Sequence, residues 1–404
     1  TPSVIETTGI SFAQATERLR DLFLESVRLH LRSDVPLGTA LSGGIDSSAV
    51  VCAMRHVEPK APIHTFSFIA EGSSISEEHW IKMVNSHVGA IPHSVVVHPQ
   101  ELANDIDDMI LSQGEPFGST SIYAQYRVFK LAREHGVKVT LDGQGADELL
   151  AGYQGYPGKR IHSLLDGGNF FSAIKFLGNW AKWPDRSLAL GTKLAVAEYL
   201  DGPMYQTLRT FAGGCTKPDW LDVSQLIECG VVIGFPRVVP NNNPSGRRLM
   251  AELAFSATRR GLPALLRHAD RNSMRFSVES RVPFLNGPMA EFLLSLPEEY
   301  LISKSGETKH VFRAAMRGIV PDAILDRRDK IGFSTPEKDW LLHLALQARE
   351  WLKEDLGLGF LRQDRIISEF DAIIAGTVPF SWQAWRWINF SRWYSRVFLP
   401  LSMP

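Results

Sequence analysis

Residues 37–48 read Leu37-Gly-Thr-Ala-Leu-Ser-Gly-Gly-Ile-Asp-Ser-Ser48, a short apolar run that breaks at two glycines and opens into a helix. Gly43 and Gly44 let backbone amides approach an anion, the following helix adds its positive end, and Ser42, Ser47 and Ser48 supply hydroxyl donors. A phosphate chain is the natural guest of such a junction. A Walker loop would carry a lysine before its hydroxyl residue, whereas this loop carries Asp46. An acid beside phosphates implies a divalent cation bridging the two. Read locally, the same letters also describe a glycine-rich strand-to-helix turn with a serine N-cap, so the choice falls to the rest of the chain.

Upstream, Phe12, Ala15, Leu19, Leu22, Phe23, Val27 and Leu31 recur at helical spacing and predict an amphipathic helix. Downstream, strands are predicted at 37–41, 63–69, 93–97 and 137–142, with helices at 46–56, 76–88, 100–112 and 121–135. Such alternation predicts a parallel sheet with helices on both faces and ligands at the carboxyl ends of the strands. Beyond about residue 160 the strand signal fades. Helical segments separated by proline and glycine clusters, such as the loop Pro236–Gly246, then predict a mostly helical second lobe.

The 404 residues can bury a large core in two or three structural units. Lysine and arginine number 43 against 44 acidic residues, so neither nucleic acid nor an anionic membrane is expected as a partner, and small discrete ligands fit better. Cys52, Cys215 and Cys229 are odd in number and lack CxxC spacing, which argues against a disulfide framework or a zinc site and points to a reducing cytoplasm. No stretch approaches the roughly 18 uninterrupted apolar residues of a membrane span. The polar start Thr1–Gly9 is unlike a secretion signal, so a soluble cytoplasmic protein is expected.

A second junction, Leu141-Asp-Gly-Gln-Gly-Ala-Asp-Glu-Leu-Leu-Ala-Gly-Tyr153, again sets glycines and acids just past a strand. In a parallel sheet it brings Asp147 to the edge that carries Asp46, and two acids from separate loops can hold one magnesium ion against a triphosphate. Three further motifs are Asp270-Arg-Asn-Ser-Met274, Val278-Glu-Ser-Arg-Val-Pro-Phe284 and Lys309-His-Val-Phe-Arg313, followed by the tryptophan-rich Ala384-Trp-Arg-Trp-Ile-Asn-Phe-Ser-Arg-Trp393. In order and spacing, over nearly all of the chain, these stretches resemble the synthetase half of the asparagine synthetase family.

The resemblance implies an adenine nucleotide alpha-hydrolase-like fold of the PP-loop ATP-pyrophosphatase kind. A leading helix would occupy 1–35, a nucleotide-binding core 36–160 and a helical lobe 161–404. It also implies cleavage of ATP between its α and β phosphates, so that a carboxylate becomes an acyl-adenylate and is then taken by ammonia or an amine. By resemblance, Leu41, Ser42, Gly43, Gly44, Asp46, Ser47 and Ser48 bind the pyrophosphate of ATP, with Gly143, Gln144 and Gly145 beside it. The backbone of Phe66 and Ser67 meets the adenine, and Asp46 and Asp147 hold Mg2+. Lys309 neutralises charge on the phosphates and the intermediate, while Arg328 and Lys330 belong to a loop that closes over the pyrophosphate, a motion that Gly332 would suit. On residue pattern alone, Lys309 with His310 and Arg313 also describes a solvated basic face, and Phe66-Ser67 an ordinary buried strand.

Departures from the family sharpen the expectation. Glutamine-dependent members begin with a cysteine whose amino group is the base for glutamine hydrolysis, whereas this sequence begins at Thr1. No glutaminase activity is expected from this chain; that half would sit on a separate domain or chain, or ammonia or an amine would be used directly. Gln144 stands where asparagine-forming members often carry glutamate, and a neutral amide cannot take a proton, which moves that task to Glu279, Glu148 or water. Glu279 is expected either to act so or merely to pair with Arg281. Gly114-Glu-Pro-Phe-Gly-Ser-Thr-Ser121 lacks an arginine that some members use for aspartate, and Asn286 replaces the acid of a Pro-Phe-Leu-Asp motif. Aspartate is the default acceptor. The rivals are a ring-closing relative of the lasso-peptide cyclase or β-lactam synthetase kind and a nucleotide-binding subunit without catalysis; a homodimer is left open.

Overall fold

The computed structural model describes residues 9–73, 75–184, 186–197, 218–232, 246–329 and 335–402. Cys215, Lys330, Gly332 and most of the 236–246 loop lie outside the described residues. Five strands form one sheet: β1 (Leu37–Ala40), β2 (His64–Ile69), β3 (Ile91–Val96), β4 (Val139–Leu141) and β5 (Glu279–Arg281). Their order is β3-β2-β1-β4-β5 and each neighbouring pair is parallel. Parallel strands need crossovers. The first are α2 (Ile45–Val57) and α3 (Glu78–Val88), while α4 (Pro99–Gln113) and α5 (Ser121–Glu134) carry the chain from β3 back to β4. The chain thus runs outward on one side of β1 and returns on the other. Loops leaving β1 and β4 diverge, opening a crevice at their carboxyl ends. The register Thr39 to Leu141 brings those two ends level.

Ahead of the sheet, α1 (Phe12–His30) starts at a capping box between Ser11 and Gln14. Its buried Ala15, Leu19, Phe23 and Val27 recur every four residues and form one stripe. Phe23 packs against Phe284 and Phe312, with ring centroids 4.8 and 5.2 Å away. Each such large apolar side chain contributes about 1.5–3 kcal/mol when fully buried. Along α2 the buried run Ser47–Met54 leaves little polar face, because the helix lies between α1 and α3. Cys52 sits in that run, 2% exposed, and burial pushes its thiol up to about 12, as befits a small apolar core residue.

The second segment is mostly helical, as the sequence predicts, with one difference: it supplies β5. Glu279-Ser-Arg281 has no apolar alternation to announce a strand. It becomes one by pairing, with the Glu279 N–H donating to Lys138 O and the Asp142 N–H to Arg281 O, both at 2.7 Å. At the far end, the helix Gln383–Trp393 buries Trp385 and Trp387 and ties to α4 through Arg392 and Asp107. Among the described residues no helix is long and apolar enough to cross a membrane.

Candidate active site

At the β1–β4 crevice lies a cavity of about 330 Å³, walled by both glycine junctions and by residues of the second segment. Gly43 has φ 81°, and a Cβ there would come within 2.8 Å of Trp80 Cβ, so only glycine allows the chain to turn so sharply. Gly44 is the extended N-cap of α2. The serine hydroxyls brace the loop: Ser42 N–H donates to Ser47 Oγ at 3.2 Å, and Gly44 N–H to Ser42 Oγ at 3.3 Å. A Cβ on Gly143 would lie 3.1 Å from the Ser47 amide nitrogen and from Asp46 Cβ, which shows how closely the two junctions approach. The first-turn amides of α2 have no intrahelical acceptor and open onto this wall.

Three side chains then converge. Lys309 Nζ donates to Asp46 Oδ1 and Oδ2 at 2.5 and 2.6 Å and lies 2.8 Å from Asp147 Oδ1. Asp46 comes from the first turn of α2, Asp147 from the short helix Ala146–Leu149, and Lys309 from the cap of His310–Ala315. Burial works against the lysine charge, but the carboxylates of Asp147 and Asp46 outweigh it, so its pKa stands above the ordinary value and the ammonium is retained. Lys309 also holds a left-handed backbone, φ 56°, fixed by its N–H to Leu150 O at 3.2 Å. Gly152 makes room for the trio, since a Cβ there would overlap Asp147 Oδ1.

Around this cluster stands a cationic wall. Buried Arg313 donates from Nε to Thr308 O and from Nη1 to Arg327 O, both at 2.9 Å. Arg327 in turn reaches Gly43 O at 2.8 Å, pairs with Glu77 and Asp329 at 2.9 and 2.6 Å, and stands over the Trp80 ring. It therefore locks the first glycine loop to the second segment. Arg328 and Arg186 lie over the Trp183 ring at 5.2 and 5.1 Å. The arrangement suits a polyanion with a bridging cation: donors and positive charge on the wall, with two carboxylates at one point.

Of the sequence-predicted residues, Ser42, Gly44, Asp46, Ser47, Gly143, Gln144, Gly145, Asp147, Lys309 and Arg328 line this one cavity. Gly43 supports it through its carbonyl. Leu41, Ser48, Phe66 and Ser67 are buried behind the wall, with Phe66 O accepting from Leu41 N–H at 2.9 Å. Glu279 is not brought to the cavity. It starts β5 at the amino end of the sheet, is exposed, and pairs with Arg281 at 2.6 Å. Asn286 caps the helix Gly287–Ser295 off the wall. Glu148 does line the cavity, accepting from the Tyr153 hydroxyl at 2.7 Å. Asp142 follows β4, and burial raises it to about 6 against the hydrogen bond from Ser280. Sequence reasoning missed Arg327, Trp183, Arg186 and His268. Arg327 reaches Gly43, His268 reaches Gln113 and Trp183 reaches Ser305 from far along the chain, while Arg186 stacks on Trp183 three residues away; only the position of Arg327 beside Arg328 hinted at any of them.

A parallel sheet with a glycine loop, an acid pair and a buried lysine at its switch point, followed by a helical lobe, is the architecture of the PP-loop class of α/β proteins. Residues 18–395 match the asparagine synthase family, and the chain belongs to it. It is similar to the glutamine-hydrolyzing asparagine synthetase 1 of Bacillus subtilis (strain 168), 28% identical over 411 residues covering 94% of this chain and 59% of the relative. The glutamine-hydrolyzing asparagine synthetase 3 of that organism is 28% identical over 358 residues, 85% of this chain and 52% of the relative. A protein named amidase chry2 from Gibberella zeae is 24% identical over 365 residues, 81% of this chain and 53% of the relative. The chain thus spans between half and three fifths of the length of these relatives.

Proposed function

We propose that the chain is an AMP-forming amide ligase that activates a carboxylate with ATP and passes the acyl group to nitrogen. The observation that carries this reading is the Lys309 ammonium held 2.5 Å from Asp46 and 2.8 Å from Asp147 above the Ser42–Gly44 loop. A carboxylate oxygen attacks the α-phosphorus, pyrophosphate departs, and a nitrogen nucleophile displaces AMP from the acyl carbon. The loop amides and the α2 terminus cradle the departing pyrophosphate. Lys309 and Arg328 offset the charge that develops there, and Lys330 shares that task in this reading. No covalent nucleophile is needed, which agrees with the inert, buried Cys52.

Asp46 and Asp147 would hold Mg2+. Both carboxylates already converge on one cation, the Lys309 ammonium. Magnesium takes few protein carboxylates and completes its shell with phosphate oxygens and water, so two acids from separate loops are enough for it. When bound, the ion would neutralise polyphosphate charge.

Aspartate is the default acceptor, with a cytoplasmic setting. The nitrogen is ammonia from a glutaminase unit, in keeping with the names of the relatives, or an amine used directly. Gln144 on the cavity wall favours a second reading, closure of an amide ring by an amine of the substrate itself. The test is release of AMP and pyrophosphate from magnesium-ATP across a panel of amino acids and peptides, with and without ammonium, followed by mass analysis. Aspartate-dependent release with asparagine as product supports the first reading, and release only with a peptide supports the second. Cleavage to ADP and phosphate, or none with any acid, removes both.

A further inference from the structure

Transfer of an acyl group to nitrogen liberates a proton, and the wall offers few groups able to take it. Gln144 is neutral. Asp46 and Asp147 are paired with Lys309, Glu77 and Asp329 with Arg327, Glu148 holds the Tyr153 hydroxyl, and Asp142, 4% exposed, holds the Ser280 hydroxyl on Oδ2. His268, on the helix Leu262–Arg275, also lines the cavity.

Its tautomer is set by a chain of buried amides. Asn272, fully buried, donates from Nδ2 to Ile122 O at 2.9 Å, which turns its Oδ1 toward Gln113. Gln113, also fully buried, donates from Nε2 to that Oδ1 at 2.7 Å and to His268 O at 3.1 Å. Two backbone carbonyls, which can only accept, therefore orient both amides. Gln113 Oε1 is left as an acceptor 2.7 Å from His268 Nδ1, so Nδ1 carries the proton and donates. With Nδ1 held by buried Gln113, Nε2 is the ring nitrogen left to serve the cavity that His268 lines.

We propose that His268 Nε2 is the general base that accepts the proton of the attacking nitrogen. The step rests on the amide-ligase reading above. The nitrogen lone pair forms the N–C bond, the bond from the acyl carbon to the AMP oxygen breaks with its electron pair leaving on AMP, and the nitrogen proton passes to His268 Nε2 and then to water. The charged groups facing this imidazole are Arg267 and Arg271 on its own helix and Glu115 from the turn after α4; the α5 residues that line the same cavity, Ser121, Ile122 and Gln125, carry no charge. Burial, then Arg267, hold its pKa below the ordinary histidine value against the pull of Glu115, so the base is neutral and ready at pH 7.

The test compares two rates in wild type and His268→Gln. Acid-dependent exchange of pyrophosphate into ATP reports adenylation, and amide formation reports nitrogen transfer. The expected result is a fall in amide formation relative to exchange of about 10²–10⁴-fold, the usual worth of a general base. The wild-type amide rate should fall on the acid side with histidine-like titration, and Gln113→Glu, which places a carboxylate on Nδ1–H, should move that limb to higher pH. An unchanged ratio, a limb that Gln113→Glu does not move, or equal loss of both rates in His268→Gln would each overturn the proposal. Wild-type protein that shows no exchange with any acid would instead overturn the amide-ligase reading itself.

Discussion

Lys309 holds a left-handed backbone and, as a residue, is 5% exposed, so its neighbours fix both its position and its charge. Replacing it by methionine keeps much of the volume and removes the charge between Asp46 and Asp147. Pyrophosphate formation should fall by about 10²–10³-fold, the usual cost of one electrostatic contact to a transition state. The two carboxylates then face each other without an ammonium, so Lys309→Met should bind Mg2+ more tightly than wild type in the absence of nucleotide. Isothermal titration with magnesium chloride checks this, and equal affinity would show that the lysine does not compete for the metal position. Gly152 offers a complementary probe. A Cβ there would overlap Asp147 Oδ1 and lie 2.5 Å from Lys309 Cε, yet both atoms belong to side chains rather than to backbone. Gly152→Ala should therefore lower stability by less than about 3 kcal/mol while abolishing activity, because the trio must separate. A chemical melt beside a pyrophosphate assay reads both halves; near-normal turnover would mean the trio tolerates displacement.

Elements differ in how far their letters reveal them. The strands and helices from α1 to β4 are legible because each is local: apolar spacing sets the period, and glycines and caps mark the ends. β5 is not, since Glu279-Ser-Arg281 acquires its strand only from the edge of β4. At the site the same division holds. Asp46, Asp147 and Lys309 lie in motifs whose chemistry can be read in place, whereas Arg327 acts on Gly43 and His268 on Gln113 from far along the chain. The lower edge of the sheet carries another pairing of this kind. His64 on β2 and His93 on β3 approach to 3.0 Å, and His135 after α5 packs 4.0 Å from the His93 ring. Burial, then His135, lower the His64 pKa, and burial, His135 and His64 lower that of His93. Both therefore bind protons less readily folded than unfolded. Their stabilising contribution is complete above the unfolded value of about 6.5 and is lost as pH falls below it. Glu77 and Glu337, pushed up to about 7 by burial, act in the opposite sense, so the comparison is best made between variants. The double variant His64→Gln with His93→Gln should lose less Tm than wild type between pH 7.5 and 5.5; parallel Tm curves would remove the pair from the acid response.

Across the whole molecule, the leading helix, the sheet and the second segment share one core. Leu19, Phe23 and Val27 of α1 lie in the same apolar cluster as Phe284 and Phe312, and the Arg20 guanidinium reaches Ala315 O at 2.6 Å. Ser26 Oγ donates to Pro283 O at 2.7 Å, and Arg281 Nη1 returns to His30 O at the same distance. The second segment also completes the sheet with β5 and supplies Lys309, Arg313 and Arg327 to the cavity. A fragment ending at residue 160 keeps every glycine loop of the nucleotide-binding core but exposes that stripe of α1 and leaves β4 as an edge strand of three residues. At about 1.5–3 kcal/mol for each large side chain uncovered, the loss is comparable with the 5–15 kcal/mol that holds an ordinary domain together. Residues 1–160 expressed alone should therefore show no cooperative thermal transition and no saturable nucleotide binding, whereas co-expression with 161–404 should recover both in a co-purifying complex. Circular dichroism melts and a fluorescent ATP analogue make the comparison direct. A cooperative melt of the isolated fragment would mean that the α1 stripe finds cover within the first 160 residues, and that the second segment is an independent lobe rather than half of the same core.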